Sequence, residues 1–185
     1  MIPTEEQAKA LWEKYHLPPQ KRVHVALVAK VATFFAKRIN QLNQSDQLSI
    51  NVELLNVAAL LHDIDKVIPK LPGERHPDTA VRVLKEEGMD EVADIVKTHS
   101  LHSILNPSIS PKTWEEKLLY LADKMVKYEI ITVDKRFALW RAEHLPPQAI
   151  DELDLCYPKV KHLEKEVFDL IGMKPEEVKS AAILA

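Results

Sequence analysis

The chain of 185 residues has few of the residues that build loops, bridges or membrane spans. Three glycines, Gly73, Gly88 and Gly172, leave no glycine-rich loop of the kind that cradles phosphate in nucleotide-binding folds. Any phosphate chemistry must therefore rely on metals or basic side chains. One cysteine, Cys156, excludes an internal disulfide framework and fits a reducing compartment. The opening "MIPTEEQAKALWEKYH" lacks a basic head followed by an apolar block, and no apolar run approaches the roughly 18 residues that span a membrane. A soluble, cytoplasmic protein is expected. Positive charge is not in excess either: 25 Lys and Arg face 28 Asp and Glu, for a net charge of −3. That balance argues against a dedicated nucleic-acid or membrane surface while leaving room for a local basic pocket. No serine-centred nucleophile elbow occurs.

What remains is helical. Apolar residues recur with a period near 3.6 in almost every segment, and the twelve prolines gather in connections such as "VIPKLPGERHP" and "LNPSISP". The pattern predicts helices over 4–16, 20–43, 51–65, 76–87, 90–101, 113–128, 130–143, 147–170 and 175–183. A frayed helix end running into a polar loop is expected at "NQLNQSDQLS". Nothing alternates as a strand does, so the class is all-α, with the 185 residues forming one domain.

The stretch "ALLHDIDK", residues 59–66, poses the functional question. A segment patterned for burial ends in a histidine, two aspartates and a lysine, and a buried charge without a partner costs several kcal/mol. Two other apolar helices carry isolated groups of the same kind: His24 in "RVHVALVAKVATFFA" and Asp123 in "EEKLLYLADKMV". Each alone has a bland explanation, a hydrogen-bonded core histidine or a capping aspartate. Together they would need several separate compensations, whereas one divalent cation held by His24, His62, Asp63 and Asp123 compensates them all. Mixed imidazole and carboxylate sets suit manganese, iron or zinc better than magnesium or calcium. His62 and Asp63 point about 100° apart on a helix, so they can share an ion only from its shoulder or end. His76, opening a helix after a proline–glycine turn, and His99 offer ligands for a second ion bridged by Asp63. His102, one helical turn from His99, is a possible further ligand. His16, His144 and His162 lie among charged residues and are read as solvated.

The order His24, His62-Asp63, Asp123 resembles the HD-domain metal-dependent phosphohydrolases. "HVALVAKVA" looks like that family's first helix, "AALLHDIDK" like its "LLHDIGK" segment, and "KLLYLADK" like the helix bearing its last aspartate. The intervening histidines resemble those of the two-metal branch. Asp65 stands where that branch often has glycine, and the "GYP" extension of the cyclic-dinucleotide subfamily is absent. The resemblance covers about residues 20–128. It implies a compact HD-domain helical bundle, with residues 129–185 as additional C-terminal helices covering it.

The same resemblance implies hydrolysis of a phosphoester or phosphoanhydride, with a nucleotide or other small phosphorylated molecule as substrate. The cofactor would be one or two divalent transition-metal ions, iron, manganese or similar. Asp63 would bridge two metals, or anchor one, and help orient the attacking water. Lys66 would stabilise the phosphoryl oxygens, unless it is only a helix-end ion pair with Asp63 or Asp65. Lys124 is expected to point elsewhere, into structure or to a pocket rim. Arg136 is a candidate for holding substrate, because a planar guanidinium grips phosphate bidentately. The alternatives are a single-metal nucleotide monophosphatase, a non-catalytic metal-containing signalling module and an iron-dependent oxygenase.

Overall fold

Chain segments with strong start signals open the helices. In the computed structural model, which describes residues 2–43 and 48–184, the Thr4 side chain accepts from the Gln7 backbone N–H and Gln7 returns the bond. This capping box starts α1 (Glu5–Lys14). Pro19 opens α2 (Pro19–Leu42), where its missing N–H is no loss. Asn51 caps α3 (Val52–Leu61), followed by α4 (Asp78–Glu86), α5 (Asp90–Val96) and a short 3-10 helix (Leu101–Leu105). A second capping box, Thr113 with Glu116, starts α6 (Trp114–Lys124). Thr132 caps α7 (Val133–Arg141); α8 (Pro147–Ile171) ends at Gly172, in the left-handed conformation at φ 63°. A 3-10 turn (Pro175–Glu177) leads into α9 (Val178–Leu184).

The all-α expectation holds: among the described residues, the only β-type pairing is an isolated bridge between Val126 and Ile130. No described helix is long and apolar enough to cross a membrane. The central element is α2, which packs against α3, α6, α8 and α9. Val25, Val28, Ala32, Phe35 and Ile39 form its buried stripe at three- and four-residue spacing. The C-terminal helix α8 lies across α2, α6, α7 and the 3-10 helix, and buried side chains from α1 to α9 belong to one hydrophobic cluster.

Three helices stop well short of their sequence pattern: the one expected over 113–128 ends at Lys124, and two further stops shape the cluster. The helix expected over 51–65 ends at Leu61, so His62, Asp63 and Asp65 lie in turns beyond it. The helix expected over 90–101 ends at Val96. There the Thr98 hydroxyl donates to the Ile95 carbonyl at 3.1 Å and the Ser103 hydroxyl to the Ser100 carbonyl at 2.7 Å. These local bonds compete with continued helix and divert the chain into the 3-10 turn. Part of the polar loop expected after α2, residues 44–47, lies outside the described residues.

Phe35 is fully buried at the centre of α2 and meets Phe168 of α8 edge to face, with ring centroids 5.6 Å apart. Phe35→Ala should destabilise the metal-stripped protein by about 3–5 kcal/mol. Denaturant unfolding of the two stripped proteins measures this without the contribution of bound ligand.

Candidate metal centre

Helix ends, rather than helix middles, deliver most of the cluster. His24 sits on the buried face of α2; His62 and Asp63 follow the end of α3. His76 lies just before α4, His99 follows α5, and Asp123 occupies the last turn of α6. His62, Asp63 and His99 are buried. Three overlapping sets have ligand atoms within 4.8 Å of one another: His24, His62 and Asp123; His62, Asp63 and His99; and Asp63, Asp65 and His76.

The imidazole orientations decide what this cluster can do. His24 Nδ1 lies 3.2 Å from the Lys127 carbonyl, and His62 Nδ1 lies 2.7 Å from the Ala59 carbonyl. His99 Nδ1 is 2.6 Å from the Val96 carbonyl, and His76 Nδ1 is 2.9 Å from an Asp65 carboxylate oxygen. A carbonyl or carboxylate only accepts, so each Nδ1 carries the proton and donates it. Each Nε2 of the neutral ring is thereby left with a lone pair, directed inward.

Those four lone pairs meet one another and two carboxylates. His24 Nε2 is 3.0 Å and His62 Nε2 3.5 Å from Asp123 Oδ1. His76 Nε2 lies 3.6 Å and His99 Nε2 3.9 Å from Asp63 Oδ1. The Nε2 atoms of His76 and His99 face each other at 2.9 Å, and His62 Nε2 is buried with no hydrogen-bond partner. Acceptors facing acceptors away from water are stable only when a cation stands among them, a proton or a metal ion. The donor set therefore fits a divalent transition metal.

Lysines complete the charge balance. Lys66 Nζ is 2.9 Å from Asp63 Oδ1, and Lys21 Nζ is 3.1 Å from Asp63 Oδ2. Lys124, expected to point away, is instead buried: it donates to Asp123 Oδ2 at 2.8 Å and to the His99 carbonyl. Burial raises the Asp63 carboxyl, but the charges of His62, Lys66 and Lys21 outweigh it and hold the group below its ordinary range. Asp123 is likewise raised by burial and brought well below its ordinary value by Lys124, His24 and His62. Both carboxylates stay ionised at neutral pH.

Burial pushes His62 down, yet Asp63 and Asp123 outweigh it and raise the ring above its ordinary value. His99 goes the other way, well below, through burial and then through repulsion by His62 and His76 whenever those rings are protonated.

The structure gathers His24, His62, Asp63, His76, His99 and Asp123 as the sequence pattern expects. His102 stays apart in the 3-10 helix, its Nε2 3.4 Å from the Ser100 hydroxyl. His16, His144 and His162 are exposed. Lys66 makes the Asp63 ion pair and also lines a cavity of about 450 Å³ with His24 and Arg136. Three participants were not foreseen: Asp65, Lys21 and the inward-turned Lys124. Lys21 had a signal, three residues before His24 and so on the same helix face.

His99 generates a measurable consequence in the metal-free protein. Its ring should stay neutral at pH 6, where an unperturbed imidazole is about three-quarters protonated. The unfolded chain takes up that proton, so the stability His99 contributes is lost as pH falls through about 6.5. Ring-nitrogen chemical shifts followed by NMR against pH check the assignment.

The family model for the HD domain matches residues 23–127, more than half of the chain and every member of the cluster from His24 to Asp123. No curated protein and no solved structure matches the chain. The matched stretch takes in α3 to α6 and nearly all of α2, leaving α1 and α7 to α9 outside it. With its buried histidines and aspartates inside that stretch, the chain belongs to the HD-domain family, whose members are generally metal-dependent phosphohydrolases.

Proposed function

We propose that the protein is a metal-dependent phosphohydrolase acting on a small phosphorylated molecule, such as a nucleotide, within a single domain that includes the C-terminal helices. The observation that carries this reading is the convergence of four imidazole lone pairs and two ionised carboxylates, with His24, His62, Asp63 and His99 buried and His76 and Asp123 at the partly exposed rim. His24, His62, Asp63 and Asp123 would hold one ion, and Asp63, His76 and His99 a second, as in the family's two-metal branch. Iron or manganese suits the mixed nitrogen and oxygen donors. Such ions, when bound, neutralise phosphate charge and make water acidic enough to act as a nucleophile near pH 7.

The chain's own groups have separable tasks. Asp63 lies between the two histidine pairs, within 3.6–3.9 Å of all four Nε2 atoms, and can orient a water toward the phosphorus. Lys66, which lines the cavity and pairs with Asp63, would bind phosphoryl oxygens. Lys124 fixes the Asp123 carboxylate from behind, leaving Oδ1 toward His24 and His62. Asp65, buried beside His76, holds that ring's Nδ1 proton and so aims its Nε2 inward. Outer carboxylates of this kind typically contribute 10–100-fold to metal affinity.

Metal analysis by plasma mass spectrometry, paired with aryl phosphate hydrolysis, tests the reading. Wild-type protein should carry about two transition-metal ions per chain and hydrolyse the ester, while Asp63→Ala should lose both metal and activity with its helical content intact. Hydrolysis retained by Asp63→Ala of verified metal content would refute the mechanism. About one ion per chain in fully active protein would favour the single-metal alternative. Asp65→Asn should keep the fold but weaken retention of the second ion about 10–100-fold, read by competition with a chromophoric chelator.

A further inference from the structure

We propose that the cavity beside the cluster recognises a second phosphoryl group of the substrate, one that is not cleaved, with Arg136 as its fork. The substrate class is then a phosphoanhydride or bisphosphorylated small molecule rather than a simple phosphomonoester. The proposal rests on the hydrolase reading above for which phosphoryl group is cut.

The cavity is charged out of proportion to the molecule. In a chain of net charge −3, its wall carries Lys21, Lys66, Lys127 and Arg136 against one acid, Glu143. Lys21 and Lys66 are both committed to Asp63, at the deep end. Lys127 is held loosely, its Nζ 3.4 Å from Glu143, while its carbonyl anchors His24. The Arg136 side chain has no ion pair or hydrogen bond among the described residues, and its Nε is buried without a partner. The other half-buried arginines are engaged: Arg22 with Glu13, Arg82 with Glu74 and Glu86, and Arg38 through its Nε with the Ile171 carbonyl at 3.4 Å.

A half-buried guanidinium whose Nε is shut off from water without a partner is costly to keep unless something anionic completes it. Arg136 is also held in place. Its guanidinium carbon stacks 4.4 Å from the Trp140 ring centroid, and Trp140 packs on Phe137 at 5.1 Å. Phe137 in turn meets Tyr157 of α8, and the Asp134–Lys161 and Arg141–Asp154 pairs pin α7 to α8. A planar fork presented on an aromatic face is preorganised for two phosphate oxygens.

Position distinguishes this group from the reacting end. Arg136 and Trp140 stand on α7, outside the family-matched residues 23–127, whereas Lys21 and Lys66 reach Asp63 directly. The cavity joins the two ends, and at about 450 Å³ it has the size of a small-ligand site rather than of a single phosphate. Metal ions and Lys66 suffice for the phosphoryl group being cleaved. Arg136 and Lys127 are surplus to it, and a second phosphoryl group uses them.

Calorimetric titration of the full chain with inorganic pyrophosphate and orthophosphate tests this, first metal-loaded and then chelator-treated. Wild-type protein should bind pyrophosphate at least about tenfold more tightly than orthophosphate in both forms. Arg136→Met should weaken pyrophosphate about 10–100-fold and abolish most of that preference, with Arg136→Lys intermediate because it keeps charge and loses the fork. Circular dichroism and metal content should match wild type. Equal binding of the two anions by wild type, or an undiminished preference in Arg136→Met, would overturn the proposal. Absence of metal uptake would sink the hydrolase reading instead, while the chelator-treated titration still decides the role of Arg136.

Discussion

Everything at the candidate centre depends on where four protons are. Each imidazole gives its Nδ1 proton to a fixed oxygen: the Lys127, Ala59 or Val96 carbonyl, or the Asp65 carboxylate. The opposite nitrogens are then acceptors by necessity. Two ionised carboxylates, each paired with a lysine, share the same space, so the inward lone pairs of buried imidazoles face further acceptors. Such a concentration is unfavourable by itself, by several kcal/mol for each unpaired group. The hydrophobic cluster running from α1 to α9 supplies the stability that tolerates it.

The fold places these groups through the ends of its helices. Ala59 and Val96 are helical residues whose carbonyls lie in the last turn, beyond which the regular helical N–H donors run out; the Val96 carbonyl also accepts from the His99 backbone N–H at 3.2 Å. His62 and His99, each three residues later, take those carbonyls with their rings. Helix termination and imidazole orientation are thus one event at both places. A helix continued to residue 65 or 101 would have claimed the same carbonyls for its backbone.

This explains which parts were legible in the sequence. Apolar periodicity exposed the helices, and polar groups interrupting it exposed His24, His62, Asp63 and Asp123. Periodicity could not locate the stop at Leu61, because Ile64 continues the apolar pattern and is itself buried in the turn. His102 looked equivalent to His99 only on the assumption of continuous helix, which the Thr98 and Ser103 hydroxyls undo. Asp65 was obscured because its task is tertiary: its partner His76 is eleven residues on, across a proline-rich turn. Lys124 was misplaced for a related reason, since a long flexible side chain can turn back along its helix to the preceding residue's carboxylate.

The division between residues 23–127 and the helices beyond them has a physical counterpart. The acceptor cluster needs rigidity and restricted water, and it lies wholly within the family-matched residues, mostly at the ends of their helices. The cavity beside it has a largely basic wall, to which α7 contributes Arg136 stacked on Trp140. Because α7 is fastened to α8, and α8 to α2 and α6, that wall is mechanically continuous with the helices carrying His24 and Asp123. Recognition supplied from outside the cluster can change with α7 while the tautomers, carboxylates and helix ends stay as they are. A chain built this way keeps the demanding electrostatics of the centre separate from the choice of molecule brought to it.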